Sequence, residues 1–330
     1  MTAASSHRLE GLEPDNLLAF LALLGLLRAL EADDHGHEDS DKARPRAAWD
    51  TDEPPLRPRL FVRAPMTEAD VTERAARGLR HLATAQDFDG RHDLNYSRSE
   101  CRELLQRKAR QARVDAREVV DVLSSLMSDA AIKDDKTQPV DPTPLCLLFG
   151  QGHQHFLDRL SAVPRQEAPP PRGKGKKALE ISERDCLAEA LFRPWHYDNP
   201  TFSFRWDPAE DVRYALLPGD PTDAAYKAGT QHGANRLASV GLAVLTLAPE
   251  VRAGRVRPSI IGGRSGAEGF SLAWPIWRDA ATLRSLCSMM THPKLREPGA
   301  LSYLGVDHVR IARRISIGKF MNFASARPVA

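Results

Sequence analysis

LLAFLALLGLL, Leu17–Leu27, decides how this chain folds. It is 11 residues long, and a bilayer span needs about 20. Glu10, Glu13 and Asp15 precede it, where a secretory signal would carry positive charge. Leu17, Leu21, Leu24, Phe20 and Leu27 fall at helical spacing, and the other faces are apolar too. The stretch therefore predicts a helix inside a domain or against another subunit. Pro14 and Asp15 are placed to open it, as first-turn proline and capping carboxylate.

Outward from this helix the chain alternates helix patterns with a few strands. Thr67 and Asp70 form a capping box for a helix over Met66–Gln86. Ser97 with Glu100 opens another through Arg113, and Ala116–Met127 continues helical. Ser182 and Asp185 cap a short helix ending at Phe192. Ala234–Leu247 and Ala280–Met290 read as helices. Arg57–Ala64, Pro142–Gly150 and Val309–Gly318 read as strands. Thr201–Asp207 and Val212–Leu217 read as a hairpin joined by DPAED, and Gly262–Phe270 as a glycine-rich loop. VPRQEAPPPRGKGKKA, Val163–Ala178, has the composition of a linker. The predicted fold class is α+β. A helix-rich region over 1–162 precedes a linker at 163–178 and a basic region over 179–330, with a small, mostly antiparallel sheet and helices.

The 330 residues are 42% hydrophobic and 27% charged, which excludes a chain disordered throughout. The net charge of +2 hides an asymmetry. From Lys227 onward there are 15 Lys and Arg against 5 Asp and Glu, a net of +10, whereas residues 1–226 carry −8. A basic half predicts either a polyanionic partner or an ordinary solvated face. The arginines between Arg98 and Arg117 read first as a solvated helix face. Cys101, Cys146, Cys186 and Cys287 have no paired spacing, which predicts reduced core thiols and a cytoplasmic protein.

Four groups of residues can carry chemistry. His153 and His155 stand one residue apart, as do His35 and His37, but no third ligand has diagnostic spacing, so no metal is expected. Arg193–Tyr214 gathers Arg193, Trp195, Tyr197, Arg205, Trp206, Arg213 and Tyr214 with Asp207, Glu210 and Asp211. Rings beside arginines suit base stacking and phosphate contact. The same pattern also suits buried aromatics in a hairpin, its turn fixed by Arg–carboxylate pairs. His232, Asn235 and Arg236 open a helix, where exposed N–H groups can hold an anion. Near the end, Arg310, Arg313, Arg314 and Lys319 interleave with Phe320 and Phe323, in the style of a single-strand-binding surface or a basic edge strand. No P-loop, dinucleotide fingerprint, nucleophile elbow or kinase set is present, and no cofactor is implied.

The blocks LEGLEPDNLLAFLALLGLLRALE, NPTFSFRWDPAEDVRYAL, HGANRLASVGL, FSLAWPIW and GKFMNF resemble, in content and order, a small accessory protein family of type I-G (formerly I-U) CRISPR-Cas systems. That family also occurs as an extension of the Cas helicase-nuclease. Residues 33–135 carry little of the likeness. The resemblance implies antiviral defence beside other type I-G Cas proteins, in the effector complex or with the helicase-nuclease. It leaves crRNA or target DNA open as partners, and no membrane partner is expected. Two readings follow. One is a non-catalytic subunit or adaptor binding nucleic acid or Cas proteins. The alternative is a metal-dependent nuclease using Asp207, Asp211 and His232.

Overall fold

The computed structural model describes residues 5–112, 117–132, 139–147, 155–171, 179–199, 202–210, 229–252, 254–317 and 320–329. Its centre is helix α1 (Leu17–Asp34), buried on every face along its apolar length. Asn16, rather than Asp15, caps it: Oδ1 accepts from Leu18 N at 2.9 Å and Ala19 N at 3.3 Å. Helix α2 (Glu68–Ala83) and helix α7 (His232–Gly241) pack on α1. Both crossings are close, because Gly78 lies against the Ala29 carbonyl and Gly25 against that of Leu237. Both expected capping boxes form, Thr67–Asp70 on α2 and Ser97–Glu100 on α3 (Arg98–Gln111). Helices α4 (Arg117–Leu126), α5 (Phe156–Arg165), α6 (Glu183–Phe192) and α8 (Leu283–Met290) complete the described set.

Two antiparallel sheets flank the helices. The first has the order β1 (Ser5–Arg8), β3 (Arg57–Val62), β2 (Arg46–Asp50). The second runs β10 (Arg327–Pro328), β8 (Val306–Ile317), β7 (Gly269–Trp277), β6 (Gly263–Gly266), and β9 (Phe320–Phe323) also pairs with β8. A separate hairpin joins β4 (Glu250–Arg252) and β5 (Arg255–Arg257). The architecture is mixed α+β. Phe20 of α1 stacks on Trp274 of β7, with centroids 5.0 Å apart. Trp277 Nε1 donates to the Ala47 carbonyl at 2.6 Å, joining the two sheets. One buried cluster therefore runs from Leu9 to Ala326, through both of the regions distinguished by composition.

Five expectations are corrected. Pro142–Leu147 forms turns instead of a strand, since Pro142 and Pro144 supply no ladder N–H, while Leu145, Cys146 and Leu147 still enter the core. Phe202–Asp207 is also not a strand. Arg205 has φ +63°, and Phe204 and Trp206 stack on each other at 4.4 Å. The second strand of that hairpin, Val212–Leu217, lies outside the described residues. Gly263–Phe270 belongs to the β6–β7 hairpin rather than to a loop, and β8 is interior to its sheet rather than an edge. Finally, Val163 and Pro164 are buried at the end of α5, so the linker expected over 163–178 does not include them. Residues 172–178 lie outside the described set.

Candidate functional site

The helix start at His232 is an interior structure and offers no open anion site. His232, Asn235 and Arg236 are each 0% exposed. Asn199 Oδ1 accepts from His232 N at 3.0 Å, and Gln231 Oε1 from Gly233 N at 3.1 Å, so side chains of the same chain occupy the helix N-terminus. The His232 Nε2 lies 2.6 Å from the Gln166 carbonyl, and burial lowers the imidazole pKa to about 4. Asn235 Nδ2 donates to Thr230 Oγ1 at 2.8 Å. Arg236 donates to Glu183 Oε1 at 2.8 Å, to the Glu167 carbonyl at 2.9 Å and twice to the Pro164 carbonyl. His232 and Arg236 tie α7 to the end of α5 and to α6, and Asn235 ties it to Thr230 and to Phe204 N, which corrects their assignment to a partner surface.

Asp207 is 1% exposed. Its Oδ1 accepts from Ala209 N at 3.0 Å and from Asn16 Nδ2 at 3.3 Å, so the carboxylate fixes a turn to the start of α1. Asp207 and His232 are thus committed internally and do not form an open metal-binding pair. Asp211, Arg213 and Tyr214 lie outside the described residues.

The aromatic group divides. Trp206 is buried and donates from Nε1 to the Leu145 carbonyl at 2.9 Å, which removes it from any surface. Trp195 is half-buried, donates to the Ala190 carbonyl at 2.9 Å and meets Tyr197 edge-on at 5.7 Å. Arg193 is exposed, while Tyr197 and Arg205 are half-buried.

Trp206 nevertheless bears on a site. The Leu145 carbonyl that it holds adjoins the Pro144 carbonyl, which accepts from Arg314 Nη1 at 3.2 Å. Here the 141–147 turns face the second sheet across an open cleft of about 480 Å³. Pro144, Cys146, Pro258, Phe270 and Met321 supply its apolar lining. Arg314 lies over the Phe270 ring, 5.8 Å from its centroid, and burial lowers the arginine's pKa from its ordinary value, opposed by Asp141 and Cys146. Arg257, the last residue of β5, enters from the other side and stands 3.8 Å from Asp141 Oδ2.

Other nearby cations do not line the cleft, since Arg264 and Arg313 flank Ser271 on the opposite face of the second sheet from Phe270 and Arg314. Arg255 and Arg264 are exposed on β5 and β6, and Arg313 pairs on the surface with Glu268. Val251 is 78% exposed on the same hairpin as Arg255. Lys319 lies outside the described residues, and Phe320 is placed only as the first residue of β9. The site therefore keeps Arg314 from the sequence reading and adds Arg257, Phe270, Asp141 and Met321. Phe270 and Arg257 sat in the basic C-terminal sequence, but nothing in their spacing set them beside residue 141. No family model, no curated protein and no solved structure matches the chain.

Proposed function

We propose that this protein is a non-catalytic subunit or adaptor of a type I-G CRISPR antiviral effector, acting in the cytoplasm and holding a nucleic-acid strand at the Arg257–Arg314 cleft. The observation that carries the reading is that cleft: two guanidinium groups, those of Arg257 and Arg314, over an apolar floor. Phosphates would meet the guanidiniums and the faces of unpaired bases the apolar lining. Guide pairing supplies sequence recognition in such effectors, so a protein grip on the backbone suffices. The resemblance of the LEGLEPDNLLAFLALLGLLRALE, HGANRLASVGL and GKFMNF blocks to the accessory family supplies the pathway. No helix among the described residues is long and apolar enough to cross a membrane.

Photo-cross-linking of thio-substituted single-stranded RNA and DNA to the full chain, followed by peptide mass mapping, tests this. Adducts should concentrate in peptides covering 255–271 and 306–323. Adducts confined to other peptides, or none with either strand, would leave the cleft without this role. The same strands incubated with Mg²⁺ or Mn²⁺ should remain uncut.

A further inference from the structure

His155 lacked a third ligand in sequence, and the fold supplies one. His155 is the residue preceding α5, and Asp158 stands three positions on, on the same side of the first turn. The segment between α2 and α3 brings His92 over them, and the His92 carbonyl accepts from Leu157 N at 3.0 Å. His92 Nδ1 is 2.8 Å from Asp158 Oδ1 and 3.0 Å from Oδ2. His155 Nδ1 is 3.7 Å from Asp158 Oδ2 and 3.4 Å from Asp93 Oδ1. The two imidazole rings are 5.0 Å apart at 62°.

We propose that His92, His155 and Asp158 form a binding site for a divalent transition metal of the zinc type. One donor atom from each lies within 4.8 Å of the others. Tetrahedral zinc with bonds of about 2.0–2.2 Å sets its ligand atoms roughly 3.3–3.6 Å apart, so small side-chain rotations close the site. Two imidazoles and one carboxylate suit zinc and its neighbours in the first row rather than Mg²⁺ or Ca²⁺, which prefer oxygen. Asp93 beside His155 adds a second negative charge. The neighbouring cation turns away, since Arg159 donates to the Ser203 carbonyl and lies over the Phe202 ring. The site is open to solvent, with the His92 side chain 64% exposed, so an ion can enter without unfolding. Binding would replace the His92–Asp158 contact with metal bonds and pin the α2–α3 connection to the start of α5.

Isothermal titration of the chelator-stripped full chain with ZnCl₂ tests the site, run beside His92→Ala, Asp158→Asn and His292→Ala. The wild type should bind one equivalent. His92→Ala and Asp158→Asn should each lose about tenfold or more in affinity. His292→Ala, whose ring lies beside Tyr303 instead, should bind as the wild type does. X-ray absorption of the zinc-loaded wild type reads the ligands without any substitution and should show nitrogen and oxygen with imidazole scattering. No zinc uptake, undiminished affinity in both site variants, or a sulfur shell would overturn the proposal.

Discussion

Arg236 brings a charge into an interior where it must be matched group for group. Its four hydrogen bonds, to Glu183 and the Glu167 and Pro164 carbonyls, provide that match. Arg236→Met removes all four bonds, though Glu183 keeps Arg80, and should lower stability by about 1–3 kcal/mol, read from urea unfolding. Affinity of the folded protein for single strands should not change, because the side chain is wholly covered. His232 makes a second residue-scale prediction. Its folded pKa of about 4 lies below the ordinary 6.5, so the unfolded chain binds the proton more readily. The contribution is present above pH 6.5 and is lost as pH falls toward 4. The full loss is at most about 3 kcal/mol. Unfolding midpoints across that range should fall in the wild type and flatten in His232→Gln. Neither residue was legible as structural. A polar first turn reads equally well as a ligand site until the packing of Gln166, Glu167 and Glu183 around it is known.

Elements defined by short-range chemistry were legible; those set by distant partners were not. The apolar run from Leu17 and the Thr67–Asp70 and Ser97–Glu100 boxes announced α1, α2 and α3, because caps and helical periodicity act within a few residues. Alternation misled at Phe202–Asp207. Phe204 and Trp206 turn inward as a stacked pair, held by Phe156 and the Leu145 carbonyl, which no local pattern records. The α1–α7 crossing gives an element-scale prediction. A Cβ on Gly25 would lie 1.8 Å from the Leu237 carbonyl oxygen, and one on Gly241 2.2 Å from that of Leu21. Gly25→Ala improves helix propensity yet should destabilise by about 1–3 kcal/mol, because the helices must separate. A thermal melt that rises in this variant would refute the close crossing.

At the scale of the molecule, charge was legible and its placement was not. The +10 of the chain beyond residue 226 marked a basic half. Part of that charge is spent inside: Arg236 is buried, and Arg296 is bound to the Gly262 and Ser271 carbonyls, with its pKa lowered by burial to about 10. Arg257 and Arg314 meet at the cleft because β5 and β8 converge there on the 141–147 turns. His92 and Asp158 likewise meet through the fold, 66 positions apart. The central claim, a phosphate grip at Arg257 and Arg314, is tested most directly by the salt dependence of single-strand binding. Affinities for wild type and the Arg257→Ala/Arg314→Ala double variant are measured by fluorescence anisotropy over a range of salt. The log–log slope should shrink by about 1.4 in the variant, roughly 0.7 for each phosphate that no longer meets an arginine. An unchanged slope, or wild-type binding indifferent to salt, would contradict the account.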